Sequence, residues 1–185
     1  MIGILHKNSN TEEKIMKLFK SRSRYTAADT EESVLTLNAP VSGRVLSLEE
    51  VNDPTFSEHI LGDGFAIVPE NGCIVAPADA VISSVPHTSH AISMTTDSGV
   101  ELLIHVGIDT VELDGKYFNI PVSLGDHVKA GDVLIEVALD AVKKAGYDIV
   151  TPVIITNMEQ YTSLSVTADT AVINTPFLLL EKCVR

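Results

Sequence analysis

The stretch Ser89-His90-Ala91-Ile92-Ser93-Met94-Thr95-Thr96-Asp97-Ser98-Gly99-Val100-Glu101-Leu102-Leu103-Ile104-His105-Val106 constrains the fold more than any other. Apolar positions alternate on both sides of Thr96-Asp97-Ser98-Gly99. A short polar segment ending in glycine folds two such runs into an antiparallel ribbon. With Asp97 and Ser98 at the centre of the turn, His90 and His105 stand directly opposite, their Cβ atoms about 5 Å apart. A three-residue turn with a bulge would move that register by one. On the second strand Val100, Leu102, Ile104 and Val106 make one face and Glu101, Leu103 and His105 the other. The histidines are expected to share their face with Ile92 and Leu103, a shallow apolar surface suited to docking another protein. On spacing alone, two histidines on neighbouring strands are more often ordinary structural residues, but the residues after His105 point elsewhere.

The run Val100-Glu101-Leu102-Leu103-Ile104-His105-Val106-Gly107-Ile108-Asp109-Thr110-Val111-Glu112-Leu113, with Gly115 and Phe118 beyond it, resembles the active-site segment of glucose-family enzyme IIA. That family is the phosphocarrier of the bacterial phosphoenolpyruvate-dependent sugar phosphotransferase system. Thr88-Ser89-His90-Ala91 resembles its second histidine motif, and the likeness extends from about Val34 to the C-terminus through Gly62-Asp63-Gly64, Ala76-Pro77, Gly131-Asp132 and Thr151-Pro152-Val153. The resemblance implies that His105 accepts the phosphoryl group and that His90 supports it by hydrogen bonding to the phosphate. It further implies that Thr88 orients the second imidazole and that Asp109 is an acidic residue flanking the site. The implied donor is the histidine phosphocarrier protein HPr, and the implied acceptor is a cysteine on the IIB domain of a sugar permease. Departures at Ala80, Pro86, His87 and Ser89 bear on partner preference more than on chemistry.

From Val34 onward the chain reads as short strands punctuated by Pro, Gly and Asp, which predicts an all-β, antiparallel sandwich or barrel-sandwich hybrid with one or two short helices. An internal echo supports a duplicated hairpin motif. Asn38-Ala39-Pro40-Val41-Ser42-Gly43-Arg44-Val45 and Val75-Ala76-Pro77-Ala78-Asp79-Ala80-Val81-Ile82 share a bend at proline leading into a strand. Ser47 to Val51 and Asp53 to Phe56 read as helical turns or loops, Leu124 to Val137 as a second hairpin, and Leu139 to Lys144 as a short helix. His59, His87 and His127 fall in loops or turns, and no chemical role is expected of them.

Charge narrows the partners. A net charge of −12 excludes nucleic acid, whose phosphates require clustered Lys and Arg, and suits a basic protein partner. The charge is uneven: residues 1–24 carry six Lys/Arg against two Glu, leaving −16 on the remainder. Within that segment Thr11-Glu12-Glu13 reads as a helix start, Ile15, Leu18 and Phe19 fall on one face, and Lys14, Lys17, Lys20, Arg22 and Arg24 make it cationic. Residues 1–33 are therefore expected to be a basic extension and linker, with residues 1–24 either making peripheral membrane contact or forming a floppy extension, and residues 34–185 the carrier domain. Cys73 and Cys183 show no paired ligand spacing, and no segment reaches the ~20 apolar residues of a membrane span, so a cytoplasmic setting is expected.

Imidazole suits reversible phosphoryl carriage because its ordinary pKa of ~6.5 leaves one ring nitrogen nucleophilic at neutral pH. Gly107 is expected to remove a side chain beside the site, opening the backbone to a partner and the phosphate. No cofactor is expected. The rival reading is a zinc hydrolase using His90 and His105, but such a site needs a third ligand and usually a His-x-His pair, which His105-Val106-Gly107 lacks. Zinc held by the two histidines with a carboxylate from a bound partner is a further alternative. A third is a regulatory binding module, compatible with the first because phosphorylation changes the charge of a docking face.

Overall fold

The computed structural model describes residues 34–183; the basic extension expected over residues 1–33 lies outside the described residues. Fourteen strands and two short α-helices, Pro54–Ser57 and Leu139–Lys144, are present among the described residues. The all-β expectation holds, and so does the helix over Leu139–Lys144. Eight strands form one sheet in the order Thr170–Ala171, Gly43–Leu46, Asp63–Pro69, Thr151–Ile155, Glu101–His105, Ala91–Thr96, Ala80–Ser84, His127–Val128. Two three-stranded sheets pack across it. One orders Val34–Asn38, Pro176–Lys182 and Tyr161–Val166; the other orders Cys73–Val75, Val133–Val137 and Phe118–Asn119.

The two echoed proline segments lie side by side. Asn38 N–H donates to the Pro77 carbonyl at 2.8 Å and Val75 N–H to the Pro40 carbonyl at 2.8 Å, so each copy ties the other where it enters its strand. Ala39 and Ala76, at equivalent places in the echo, are both fully buried. The Leu124 to Val137 hairpin is not formed. His127–Val128 pairs with Ala80 and Val81, whereas Val133–Val137 pairs in a different sheet with Cys73–Val75 and Phe118–Asn119. The left-handed glycines Gly125 and Gly131 mark real turns. The second of those turns carries the chain between layers instead of folding it back on itself.

Alternation then decides which face each side chain joins. Leu102 and Ile104 point into the main core with Phe65, Ile67, Val153, Ile155, Ile92 and Met94. Phe65 meets Phe177 of the facing sheet edge to face, ring centroids 4.9 Å apart. The opposite face of the same strands carries a smaller cluster of Leu48, Val51, Phe56, Ala66, Ile108 and Ile154, with Leu103 packed against it. All five residues of Thr151–Ile155 are buried for this reason: the strand is covered on both faces. His105 is the next residue after Leu103 on that second face, so it sits beside the smaller cluster and not in the main core.

The ribbon closes one residue later than the two-residue turn predicts. Ala91 pairs with His105, Ile92 with Ile104 and Ser93 with Leu103. Asp97-Ser98-Gly99 form a three-residue loop, held by Thr96 N–H on the Val100 carbonyl and Val100 N–H on Thr96 Oγ1, both at 2.9 Å, with Gly99 left-handed at φ +89°. This is the bulged turn, and glycine is the residue that meets its backbone demand. Ile92 consequently belongs to the main core opposite Ile104, and does not share the face of the histidines.

Candidate functional site

His105 ends its strand, while His90 stands just before Ala91–Thr96, outside the regular ladder. With the register moved by one, His90 lies opposite Val106, whose N–H donates to the His90 carbonyl at 2.8 Å. Strict alternation would send the two imidazoles to opposite faces. His90 lies beyond the regular strand, where alternation no longer applies, after a turn in which Ser89 is left-handed at φ +54° and its N–H bonds the Pro86 carbonyl at 2.9 Å. The imidazoles meet after all, edge to face with centroids 4.7 Å apart and planes at 76°.

Each ring is held by one local partner. His105 Nδ1 is 2.8 Å from the carbonyl oxygen of Gly107. A carbonyl can only accept, so Nδ1 carries the proton and Nε2 keeps its lone pair. Thr88 Oγ1 lies 2.8 Å from His90 Nδ1, and both residues are buried, at 6% and 8% exposure. Thr88 thus stands against the second imidazole, and either hydroxyl role leaves Nε2 as that ring's outward nitrogen.

The environment keeps both rings neutral. His105 is pushed down from 6.5 to about 4, first by burial and then by the neighbouring His90; the Gly107 carbonyl and the Asp53 carboxylate oppose the fall. His90 is lowered too, mainly by burial, with a smaller contribution from His87 and opposition from hydrogen bonding at Thr88. Desolvation disfavours an imidazolium that water can no longer stabilise. Phe56 is one of the groups that cover His105, its ring meeting the imidazole at 5.2 Å and 60°. Asp53 positions that phenylalanine. Its carboxylate caps the short helix by accepting from Thr55 N–H at 2.8 Å, and Pro54 occupies the first helical position, as suits a residue without an N–H.

Asp53 and Phe56 were not among the expected site residues. Asp-Pro-Thr-Phe carries a readable helix-start signal, but nothing local connects that turn to a histidine far along the chain. Of those expected, His90, His105 and Thr88 come together, and Asp109 is an exposed, left-handed residue opening the turn Thr110–Leu113 that follows His105 in the chain. Gly107 is present but for a different reason from the one expected. A Cβ there would lie 2.6 Å from the Asp148 carbonyl and against Thr110, so it would enter packed protein and not an open approach. The glycine serves the turn itself, at φ +81°. The remaining described histidines engage carboxylates. His59 lies between Glu49 at 3.2 Å and Asp63 at 3.1 Å, His127 is 2.9 Å from Asp97, and His87 is 3.9 Å from Asp114.

Two facing neutral imidazoles, one with a fixed free nitrogen, suit group carriage. Comparison with known proteins decides which group. Residues 35–161 match the family model described as phosphoenolpyruvate-dependent sugar phosphotransferase system, EIIA 1. The chain belongs to this family. As an EIIA component it is a phosphocarrier of the sugar phosphotransferase system. It is 38% identical over 139 residues to the glucose-specific EIIA component of Staphylococcus aureus, covering 75% of this chain and 84% of that protein. A solved structure, the glucose permease IIA from Mycoplasma capricolum, is similar with a TM-score of 0.74 and 37% identity over 79% of this chain and 95% of that one. The beta-glucoside-specific EIIBCA component of Bacillus subtilis is 46% identical over 125 residues, 68% of this chain. This EIIA chain spans only 20% of that longer relative's length. No helix among its described residues is long and apolar enough to cross a membrane.

Proposed function

We propose that His105 is the phosphoryl acceptor of this EIIA chain, taking the group from phospho-HPr and passing it to a cysteine on the IIB domain of a sugar permease. Nε2 attacks phosphorus as the nitrogen–phosphorus bond on the donor breaks. Onward transfer reverses the chemistry: the IIB thiolate forms its bond to phosphorus and Nε2 leaves with its lone pair restored. The Nδ1 proton stays hydrogen-bonded to the Gly107 carbonyl throughout. No proton has to leave His105 before either step.

Charge spread over the phosphoryl oxygens must be met by placed donors. Thr88 Oγ1 orients His90 through Nδ1, and in the tautomer in which the hydroxyl donates, the ring proton of His90 stands on Nε2, available to the incoming group. Asp109 and Asp53 flank the histidines as acidic groups able to meet a basic partner, and the exposed Val111 in the adjoining turn offers apolar contact. Residues 34–185 constitute the carrier domain, working in the cytoplasm, and residues 1–24 make peripheral contact with anionic lipid.

The observation that carries this reading is the fixed, unprotonated Nε2 of His105 beside a second imidazole, within a family that carries phosphate. A zinc hydrolase would require a third ligand, and no group of three or more His, Cys, Asp or Glu side chains able to hold a metal occurs among the described residues. Incubation with phosphoenolpyruvate, enzyme I and HPr should add one acid-labile phosphate by mass. His105→Ala should take up none, and His90→Gln should take it up but transfer it onward slowly. Labelled phosphate on the His105 variant, or normal sugar phosphorylation by the His90 variant, would overturn the respective assignment.

A further inference from the structure

Gly107 has the freest backbone in the turn that orients His105, so something outside it must hold its carbonyl in place. The two peptide units that meet at Gly107 are tied at all four polar ends. Gly107 N–H donates to the Val150 carbonyl at 3.0 Å, and Ile108 N–H to the Asp148 carbonyl at 3.1 Å. The Gly107 carbonyl accepts from His105, and the Val106 carbonyl accepts from Thr110 Oγ1 at 2.6 Å. Thr110 is fully buried, so its hydroxyl acts through that bond alone. Its methyl group fills the space into which a Cβ on Gly107 would project. One side chain therefore blocks movement of this peptide pair by packing and by hydrogen bonding.

We propose that Thr110 is a positioning residue for phosphoryl transfer: by latching the Val106 carbonyl, it keeps the Gly107 carbonyl on His105 Nδ1 and so selects the tautomer with Nε2 free. The inference rests on His105 being the phosphoryl acceptor. Without the latch the carbonyl swings away, the ring exchanges tautomers, and part of the population presents a protonated Nε2 that cannot attack.

Two pairs of chains isolate the hydroxyl. Thr110→Val differs from the native residue by exchange of hydroxyl for methyl; Thr110→Ala differs from Thr110→Ser only by loss of the hydroxyl, so the second pair serves if Thr110→Val does not fold. Ring nitrogen chemical shifts of His105 report the tautomer directly, and steady-state phosphorylation by phospho-HPr reports kcat and KM. The chains lacking the hydroxyl should show a raised Nε2–H population and a kcat lowered on the order of tenfold, with KM for phospho-HPr unchanged, and Thr110→Ser should restore both against Thr110→Ala. A folded hydroxyl-free chain that keeps the Nδ1–H tautomer overturns the proposal. So does one whose tautomer shifts while its rate stays native. A His105→Ala control that still accepts phosphate overturns the parent reading itself, an outcome separate from either.

Discussion

Replacing His105 by Gln should flatten the acid dependence of stability. Gln has similar reach and can donate to the Gly107 carbonyl, but it does not titrate. In the native chain the folded-state value is about 4 against 6.5 for a free imidazole, so the unfolded chain binds a proton that the folded one refuses between those pH values. Protons therefore favour unfolding in that window. The stabilisation is fully present above pH 6.5 and is lost as pH falls toward 4. At about 1.4 kcal/mol per pH unit the whole gap amounts to roughly 3 kcal/mol, and about 2 kcal/mol of it is gone by pH 5. Urea unfolding at pH 7.5 and pH 5 measures both chains. Groups remote from His105 are untouched by the substitution and cancel in the difference, which therefore reports His105 together with its coupled neighbour His90. The native chain should lose about 2 kcal/mol more than His105→Gln between the two conditions. Equal losses would refute the idea that burial among His90 and Phe56 holds His105 neutral.

Phe56→Ala opens the smaller cluster and admits water to His105, so its titration should rise back toward 6.5, read by proton shifts of the ring, with stability lower by about 3 kcal/mol in urea unfolding. Gly107→Ala forces a Cβ onto the Asp148 carbonyl at a left-handed position; unfolding should cost at least about 2 kcal/mol less, and phosphorylation should fail even in chains that remain folded at low temperature.

The ribbon was legible in the sequence because period-two alternation around a glycine-ended turn has few other solutions. The register was not. Thr96 Oγ1 bonding to Val100 N–H and Gly99 at φ +89° choose the three-residue loop, and those are local contributions of about 1 kcal/mol each that alternation does not encode. The error cancels at the site for an unrelated reason: His90 lies outside the regular strand, where alternation no longer decides which way a side chain points. Phe56 escaped because its link to His105 runs through the sheet and not along the chain, whereas Thr88 was found through a resemblance spanning a contiguous motif. The Gly-Asp pattern of Leu124 to Val137 located its turns correctly while misplacing the partners, since a glycine fixes where a chain bends and not which strand awaits it.

The two imidazoles stand on different footings. His105 grows from a strand flanked on both sides within an eight-stranded sheet, whereas His90 hangs from a left-handed turn beyond the ladder. A ring so anchored presents one nitrogen at one address to every visitor. The companion ring is moored to that same strand by a single backbone bond, from Val106 N–H to the His90 carbonyl, so any change in its turn is transmitted first to the residue beside His105.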